Sequence, residues 1–235
     1  MPSRKSQPDE PAAAPPTNGA ANDPPSKDAP PKAVISRLSL YLRELQHLVR
    51  DGRLTTSSSG LGQRLGFSDA QVRKDLAYFG QFGHPGIGYR CEELIPVIRG
   101  ILGTDRGWPV AMVGAGNLGR ALLGYKGFAR QGFRIAAVFD IDPTAVGHSI
   151  EGVRVYHFDD LEAIVAAEGI KIAMIVVPAA AAQGVADQLV AAGLEGILNF
   201  APVTINLPEH ISTVGVDLAI ELEQLTFSVV KRRGG

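Results

Sequence analysis

The sequence predicts an α/β protein with a small helical domain followed by a doubly wound parallel sheet. The first observation is a set of helix-spaced apolar residues and a glycine-rich hairpin within residues 33–90. The second is that short apolar strands alternate with alanine-rich helices from Trp108 onward, as in parallel sheets. The third is a glycine-rich loop directly after the first of those strands. Together they indicate a winged-helix domain joined to a Rossmann domain.

Composition narrows the classes of function. With 235 residues, 45% hydrophobic and 20% charged, the chain can bury one sizeable core or two smaller ones. It has no apolar run long enough to span a bilayer and no basic-then-apolar secretory signal, so we expect a cytoplasmic protein without a membrane partner. Cys91 is the only cysteine, which excludes an intrachain disulfide and a cluster of thiolate zinc ligands. We expect Cys91 to be a small core residue, with an intersubunit disulfide or a reactive thiol as the alternatives.

The chain divides into segments of different composition. Residues 1–32 hold nine of the sixteen prolines and almost no large apolar residue. Such a segment cannot bury enough surface to offset its chain entropy, so we predict a disordered tail. The other predicted segments are a winged-helix domain at 33–90, a linker at 91–107, a Rossmann domain at 108–216 and a C-terminal helix at 217–235.

The N-terminal domain begins with an amphipathic helix that ends near Asp51-Gly52. Its apolar residues recur at spacings of three and four: Ile35, Leu38, Leu42, Leu45 and Val49. Leu61 and Leu65 predict a short second helix. Ser68 and Gln71 then match a capping box, in which Ser68 accepts from the Gln71 amide and the Gln71 side chain reaches back. A third helix is predicted to start there.

The predicted third helix has an apolar face and a slim, basic face. The apolar face holds Val72, Leu76 and Phe79, and the basic face holds Ala70, Arg73, Lys74 and Ala77. Small residues permit close approach to the major groove of DNA, where Arg and Lys reach guanine acceptors. The third helix is therefore a candidate recognition helix.

Further candidates for DNA contacts flank this helix. The hairpin at residues 80–89 has the size of a wing, and His84 and Arg90 beside it are candidates for phosphate or minor-groove contacts. Residues 57–59 are serines placed where a helix N-terminus holds a phosphate, with ordinary capping as the alternative. The whole chain carries a net charge of −1, but residues 33–90 carry eight basic and four acidic residues, a net +4. The predicted DNA-binding residues are Ser58, Gln71, Arg73, Lys74, His84 and Arg90; the alternative is a helical interaction module with a solvated charged face.

Six short apolar runs predict the strands of the second domain. They are PVAMV, RIAAVF, VRVY, KIAMIVV, EGILNF and STVGV, with alanine-rich stretches such as LEAIVAAEG between them. A last helix carries a stripe of apolar residues, Leu218, Leu222, Leu225 and Val229. No strand follows it, so its apolar face needs another surface.

The loop after the first strand matches the phosphate-binding loop of dinucleotide-binding proteins. It consists of Gly114, Ala115, Gly116, Asn117, Leu118 and Gly119. Its three glycines permit the tight turn, the approach of the pyrophosphate and the packing of the helix on the sheet. Asp140 lies 21 positions after Gly119, where an acid binds the adenosine ribose and repels a 2′-phosphate, so NAD(H) is predicted over NADP(H). Asp142 is the neighbouring candidate, and helix capping is the alternative role of either acid.

The sequence supplies little for catalysis beside this loop. A dehydrogenase needs a proton donor at the nicotinamide and a substrate pocket, usually from a further domain. Only one helix follows the nucleotide fold, and His157 and His210 stand in no recognisable catalytic pattern. We therefore expect no enzyme activity. A small NAD-dependent oxidoreductase and a nucleotide-gated protein-interaction module are the alternatives.

Seven motifs, in order and without large gaps, resemble the family of redox-sensing transcriptional repressors called Rex. They are ISRLSLYLREL, SDAQVRKDLAYFG, FGHPGIGY, GAGNLGRALLGYKGF, VFDIDP, ILNFAP and VGVDL, and the similarity runs from about residue 33 to 230. The resemblance implies a homodimer whose C-terminal helix is swapped between subunits, into the space between the partner's two domains. It also implies repression of respiratory and fermentative genes at palindromic operators in double-stranded DNA, relieved by NADH, with NAD⁺ competing weakly.

Carried over to this sequence, the resemblance implies a switch formed by Arg43, Tyr125 and Asp217, of which Tyr125 and Asp217 also bind the cofactor. Oxidised nicotinamide is a cation and reduced nicotinamide is neutral, so a carboxylate such as Asp217 stabilises them differently. Leu218 stands where many members have an aromatic residue beside that aspartate. In the wing, His84-Pro85 replaces the more usual basic pair, so weaker phosphate contacts are expected there.

Overall fold

The computed structural model describes residues 30–233, with every side chain except that of Arg233. Buried apolar residues form one core among the N-terminal helices and one on each face of a seven-stranded sheet. The predicted fold class is therefore confirmed. The predicted tail at residues 1–32 lies almost entirely outside the described residues.

The N-terminal region contains four helices and a two-stranded sheet. Their bounds are α1 Lys32–Arg50, β1 Thr55–Thr56, α2 Ser58–Leu65, α3 Asp69–Ala77, β2 Tyr89–Arg90 and α4 Cys91–Leu102. The three predicted helices are present, and their apolar faces share one core. Gly66 ends α2 in the left-handed conformation, with φ of 76°, which lets the chain turn sharply into α3.

The capping box at the start of α3 is half confirmed. Ser68 Oγ accepts from the Gln71 amide at 3.2 Å, as predicted. The Gln71 side chain does not reach back but donates through Nε2 to Asp75 Oδ1 at 2.7 Å. An ionised carboxylate one turn further along the helix is a stronger acceptor than any group at the helix start.

The hairpin at residues 80–89 is bridged once, between His84 and Gly88, and its tip is exposed. The strand that follows it, β2, pairs with β1 from the α1–α2 connection, with Thr55 opposite Arg90 and Thr56 opposite Tyr89. The segment from Gly80 to Arg90, which we call the wing, is therefore anchored to the chain segment that precedes α2.

Most of the segment predicted as a linker, residues 91–107, is the helix α4. Cys91, Leu94 and Ile98 face the N-terminal core and are almost completely buried, so Cys91 is a core residue as predicted. Pro96 lies inside this helix and disfavours a helical prediction. Packing of an apolar stripe against α1 outweighs that local preference.

The second region is a doubly wound sheet. Its bounds are β3 Trp108–Val113, α5 Asn117–Leu123, α6 Gly127–Arg130, β4 Phe133–Asp140, β5 Ser149–Ile150, β6 Val153–His157, a 3₁₀ turn Phe158–Asp160, α7 Leu161–Glu168, β7 Ile172–Ile175, α8 Ala179–Ala191, β8 Gly196–Asn199, β9 Ser212–Gly215 and α9 Leu218–Arg233. The six predicted strands are all present. Their order with the added edge strand is β5-β6-β4-β3-β7-β8-β9, and every neighbouring pair is parallel except β5 with β6.

This strand order places a switch point between β3 and β7. The chain leaves β3 toward β4 and β6 on one side, then returns to β7, β8 and β9 on the other. In doubly wound sheets ligands bind at such a point, beyond the carboxyl ends of the strands.

The last helix, α9, packs against no core. Every described side chain of α9 is exposed, including Leu222 at 64% and Phe227 at 69%. Most of its large apolar residues lie on two opposite sides: the predicted stripe on one, and Ile220 and Phe227 on the other, with Val230 between them. Among residues 30–233 no helix is long and apolar enough to cross a membrane.

Candidate nucleotide site and nucleic-acid interface

The glycine-rich loop lies at the switch point, between β3 and α5. Gly114 has φ of 107°, a conformation that favours glycine, and a Cβ there would collide with the backbone of Val176. A Cβ at Gly119 would collide with the Gly114 carbonyl, whereas Gly116 faces open space. The loop is thus closed at its two ends by backbone contacts and open in its middle, where a pyrophosphate would approach.

A cavity of about 520 Å³ opens beside this loop. Apolar side chains of β3, β4 and α8 form much of its wall, and its polar groups include Asn117, Arg120, Asp140 and Asp142. A largely apolar cavity with a few polar groups is typical of cofactor sites.

Asp140 supports the loop directly. Its Oδ2 accepts from the Ala115 amide at 2.6 Å, and its Oδ1 accepts from the amides of Ile141 and Asp142 at 2.7 and 2.9 Å. A carboxylate has about four acceptor positions, so Asp140 retains capacity for a ribose hydroxyl. Asp140 therefore stabilises the loop in addition to facing the cavity.

Asp142 is the second carboxylate at this wall. Its Oδ1 accepts from the Thr144 hydroxyl at 2.7 Å and from the Thr144 amide at 2.8 Å. These hydrogen bonds lower the pKa of Asp142. The wall of the cavity beside the end of β4 thus carries two acidic groups, the charge pattern expected to disfavour a 2′-phosphate.

Sequence reasoning missed Arg120 at the same site. Arg120 lies on α5 and donates through Nε to the Ala115 carbonyl at 3.0 Å, so Arg120 holds the carbonyl of Ala115 while Asp140 holds its amide. Arg120 directly follows Gly119, the last glycine of the loop, and this position in the sequence could have identified it as a residue of the site.

The three predicted switch residues occupy two cavities in one chain. Arg43 and Tyr125 line a cavity of about 540 Å³ between α1, α4 and α6, together with Arg50, Arg99 and Arg130. Tyr125 is 60% exposed there. Asp217 lines another cavity, of about 410 Å³, and caps α9 by accepting from the Ala219 amide at 2.9 Å. A single chain therefore brings Arg43 and Tyr125 together without Asp217.

The predicted recognition helix α3 exposes its basic face. Ala70, Arg73, Lys74 and Ala77 are all exposed, while Val72 and Leu76 are buried. Arg73 donates to Asp69 Oδ2 at 2.8 Å and to Ser58 Oγ at 3.3 Å, which brings Ser58 and Arg73 into one surface. Ser57 rather than Ser58 caps α2, by accepting from the Gly60 amide at 3.0 Å.

In the wing, the predicted DNA contacts are both paired with one acid that sequence reasoning missed. His84 Nε2 lies 3.1 Å from Glu93 Oε2, and Arg90 Nη1 donates to Glu93 Oε1 at 3.0 Å. These two partners lower the pKa of Glu93. Glu93 lies on α4, in the segment predicted as a linker, and its spacing of three residues from Arg90 is the sequence signal that could have found it.

Comparison with protein families matches the two regions separately. A family model described as the putative DNA-binding protein N-terminus matches residues 31–77, and one described as the CoA binding domain matches residues 105–203. The fold and the two sites thus define a class of protein in which a DNA-binding N-terminus is joined to a nucleotide-binding sheet domain.

Known proteins that share both regions identify the family. Redox-sensing transcriptional repressors Rex from Pelotomaculum thermopropionicum and Streptomyces coelicolor are 48% and 46% identical, over 86% and 87% of this chain and 95% and 79% of their own lengths. The Rex-family repressor RSP, solved with NAD⁺ and operator DNA, superposes with a TM-score of 0.82 at 35% identity, covering 88% of this chain and 95% of RSP. RSP solved with NADH superposes with a TM-score of 0.79 at 33% identity, covering 88% of this chain and 97% of RSP. The chain belongs to the Rex family of redox-sensing transcriptional repressors, as the motifs predicted.

Proposed function

We propose that this protein is an NADH-responsive repressor that binds palindromic operator DNA and releases it when NADH binds. The observation that carries the proposal is that one Rex-family chain holds both a cavity at a glycine-rich loop and an exposed basic helix on a compact N-terminal core. The relative RSP has been solved with operator DNA and NAD⁺, and separately with NADH, which supports both halves of the proposal.

The cofactor site we propose runs along the carboxyl ends of the strands. The loop from Gly114 to Gly119 receives the pyrophosphate and Asp140 receives the adenosine ribose, with Asp142 beside it. Tyr125 and Asp217 are proposed to meet the nicotinamide half in the assembled dimer.

The DNA site we propose centres on α3. Arg73 and Lys74 present charged donors to the major groove, Gln71 reads a base edge, and Ser58 lies beside Arg73 at the start of α2. His84 and Arg90 of the wing contact the backbone or minor groove after exchanging Glu93 for phosphate. These roles are supported by exposure and charge.

We propose that the DNA-binding unit extends through α4 to Leu102. The helix contributes Cys91, Leu94 and Ile98 to the same core as α1 and α3, so residues 33–102 share one interior. Only residues 103–107 then remain to connect it to the Rossmann domain at 108–216, with the C-terminal helix after it.

The exposed helix α9 supports a dimer. A helix with apolar residues on two opposite sides needs two surfaces to cover it, and a slot between two domains of another subunit supplies both. Swapped in this way, α9 would carry Asp217 toward the Arg43 and Tyr125 of the second copy. Symmetry then places two α3 helices against an inverted-repeat site.

The test is operator binding by fluorescence anisotropy with NADH and NAD⁺ as competitors. To shift occupancy from 99:1 to 1:99, NADH must favour the released conformer by about 5.5 kcal/mol, which two cofactors per dimer supply together. We expect NADH to release the DNA and NAD⁺ to counteract it. DNA binding that is unaffected by NADH, at concentrations where NADH is bound, would contradict the proposal.

The relatives are named as repressors, and we propose that the cofactor is sensed without being consumed. His157 accepts from the Asp159 amide at 3.3 Å in the turn before α7, and His210 lies in an exposed turn before β9. Neither histidine lines the cavity at the glycine-rich loop. Oxidation of NADH by the purified protein with a small metabolite would favour an oxidoreductase instead.

A further inference from the structure

Asp75 is the only charged residue, of those the structure describes, that is buried in a core. It lies on the inner side of α3 at 2% exposure, and its two oxygens accept four hydrogen bonds from three side chains. Arg37 Nε and Tyr41 Oη donate to Oδ2 at 2.5 and 2.8 Å. Arg37 Nη2 and Gln71 Nε2 donate to Oδ1 at 2.9 and 2.7 Å.

This arrangement joins two helices by directional bonds. Arg37 and Tyr41 belong to α1, and Gln71 belongs to α3 one turn before Asp75. Burying a charge is costly even when it is paired, and an apolar residue often serves stability as well. The apolar contacts of Val72 and Leu76 are non-directional and leave α3 free to shift along α1 by small amounts. The three bonds that Arg37 and Tyr41 of α1 donate to this carboxylate of α3 remove that freedom.

The same carboxylate fixes the side chain of a predicted base contact. Gln71 Nε2 donates to Asp75 Oδ1 at 2.7 Å, which restrains where the amide group of Gln71 lies. A glutamine reads adenine only when both its donor and its acceptor are correctly placed. Because one donor hydrogen is used internally, the carbonyl oxygen and the second hydrogen remain for recognition.

We propose that Asp75 is a specificity-determining positioning residue, which fixes the register of α3 on α1 and the orientation of Gln71 toward the bases. The inference rests on the proposed binding of operator DNA. Asp75 is buried and acts through Gln71 and α3 without touching DNA itself. Burial raises the pKa of Asp75, but the bonds from Arg37, Tyr41 and Gln71 outweigh it and lower the pKa overall, so the acceptor is charged near neutral pH.

The test compares operator DNA with a scrambled duplex of equal length for the wild type, Asp75→Asn and Tyr41→Phe. Asparagine keeps the shape but replaces one acceptor with a donor, so we expect operator affinity to fall about tenfold, the effect of one misplaced base contact. Affinity for the scrambled duplex, its dependence on salt and the affinity for NADH should change by less than about twofold, because phosphate contacts supply non-specific binding. Tyr41→Phe should act in the same direction with a smaller loss.

The matched control is Glu44→Gln. Glu44 accepts from Arg64 Nη1 at 2.8 Å and so joins α1 to α2 without touching α3. We expect this variant to keep the wild-type ratio of operator to scrambled affinity, even if its thermal stability falls as much as that of Asp75→Asn.

The outcomes separate the two proposals. A wild type that does not distinguish operator from scrambled DNA contradicts the proposed function itself. If the wild type prefers operator DNA and Asp75→Asn prefers it to the same degree, the proposed role of Asp75 is overturned. The role is also overturned if Asp75→Asn loses affinity equally for the operator and the scrambled duplex. Should Asp75→Asn unfold at the assay temperature, Tyr41→Phe decides: an unchanged ratio overturns the inference, and a reduced ratio supports it.

Discussion

Gly119 shows how one hydrogen in place of a side chain shapes the cofactor site. A Cβ at this position collides with the Gly114 carbonyl, so Gly119→Ala must displace one end of the loop. Overpacking of this kind costs about 1–3 kcal/mol, so we expect NADH affinity to fall about tenfold or more while DNA binding is retained. Isothermal titration with NADH and anisotropy with DNA check this prediction.

Gly184 is the matched control for that substitution. It lies within α8, and a Cβ there meets nothing within 4 Å. Gly184→Ala should leave NADH binding unchanged and stabilise the protein slightly, by about 0.5–1 kcal/mol. Loss of NADH binding in both variants would show that the effect of Gly119→Ala is not specific to the loop.

Glu93 illustrates how one carboxylate can bind two side chains of the wing. It pairs with both His84 and Arg90, the wing residues proposed to contact DNA, so it competes with phosphate groups for them. We expect Glu93→Gln to raise affinity for operator and scrambled DNA by about two- to fivefold and to steepen the salt dependence. A salt series measured by anisotropy is the check.

The surface pair of Arg134 with Glu168 supplies the control for Glu93. Arg134 Nη2 lies 3.3 Å from Glu168 Oε2, and both residues belong to the sheet domain and not to the wing. Glu168→Gln removes the same charge, so an equal gain in affinity there would indicate a general electrostatic effect and contradict the local role of Glu93.

At the scale of elements, the joint between α1 and α3 predicts a pH dependence. The folded-state pKa of Asp75 is lowered, so its contribution to stability is present above the ordinary aspartate value of about 3.9 and is lost as pH falls through the lowered value. Asp75→Asn has no such group. We therefore expect the gap in unfolding free energy between wild type and Asp75→Asn to be largest near neutral pH and to shrink in acid. Urea unfolding at a series of pH values checks it, and a constant gap would contradict it.

At the scale of the whole molecule, α9 predicts the oligomeric state. Leu222 and Phe227 lie on its two opposite apolar sides. Burying one such side chain stabilises the dimer by about 1.5–3 kcal/mol, and a symmetric dimer buries two copies of each. Either Leu222→Glu or Phe227→Glu should therefore raise the dimer dissociation constant at least about a hundredfold, as measured by sedimentation. Gln224→Glu changes the polar side and should leave the dimer intact. Insensitivity to Phe227→Glu would mean that only one side of α9 is covered.

The proposed switch makes a further prediction for the assembled molecule. Within one chain, Asp217 lines a different cavity from Arg43 and Tyr125. In the proposed dimer, Asp217 of one subunit would lie close to Arg43 and Tyr125 of the other. Asp217→Asn should still bind NADH and DNA, but NADH should release DNA less effectively, by about tenfold or more in its half-effective concentration, because the differential contact with the two nicotinamide states is lost. Release at the wild-type NADH concentration would contradict this role.

The fold class, the six strands, the three N-terminal helices, the glycine-rich loop and the family can all be predicted from the amino-acid sequence. These features depend on local periodicity and short motifs, which survive in one dimension. Three features appear only once the chain has folded: residues 91–102 form a core helix, Glu93 pairs with His84, and Asp75 joins α1 to α3. Such contacts join side chains that lie up to 38 positions apart, and one, Arg37 with Asp75, crosses two intervening elements. No local pattern records a contact of this kind, because its energy depends on the packing that brings the partners together.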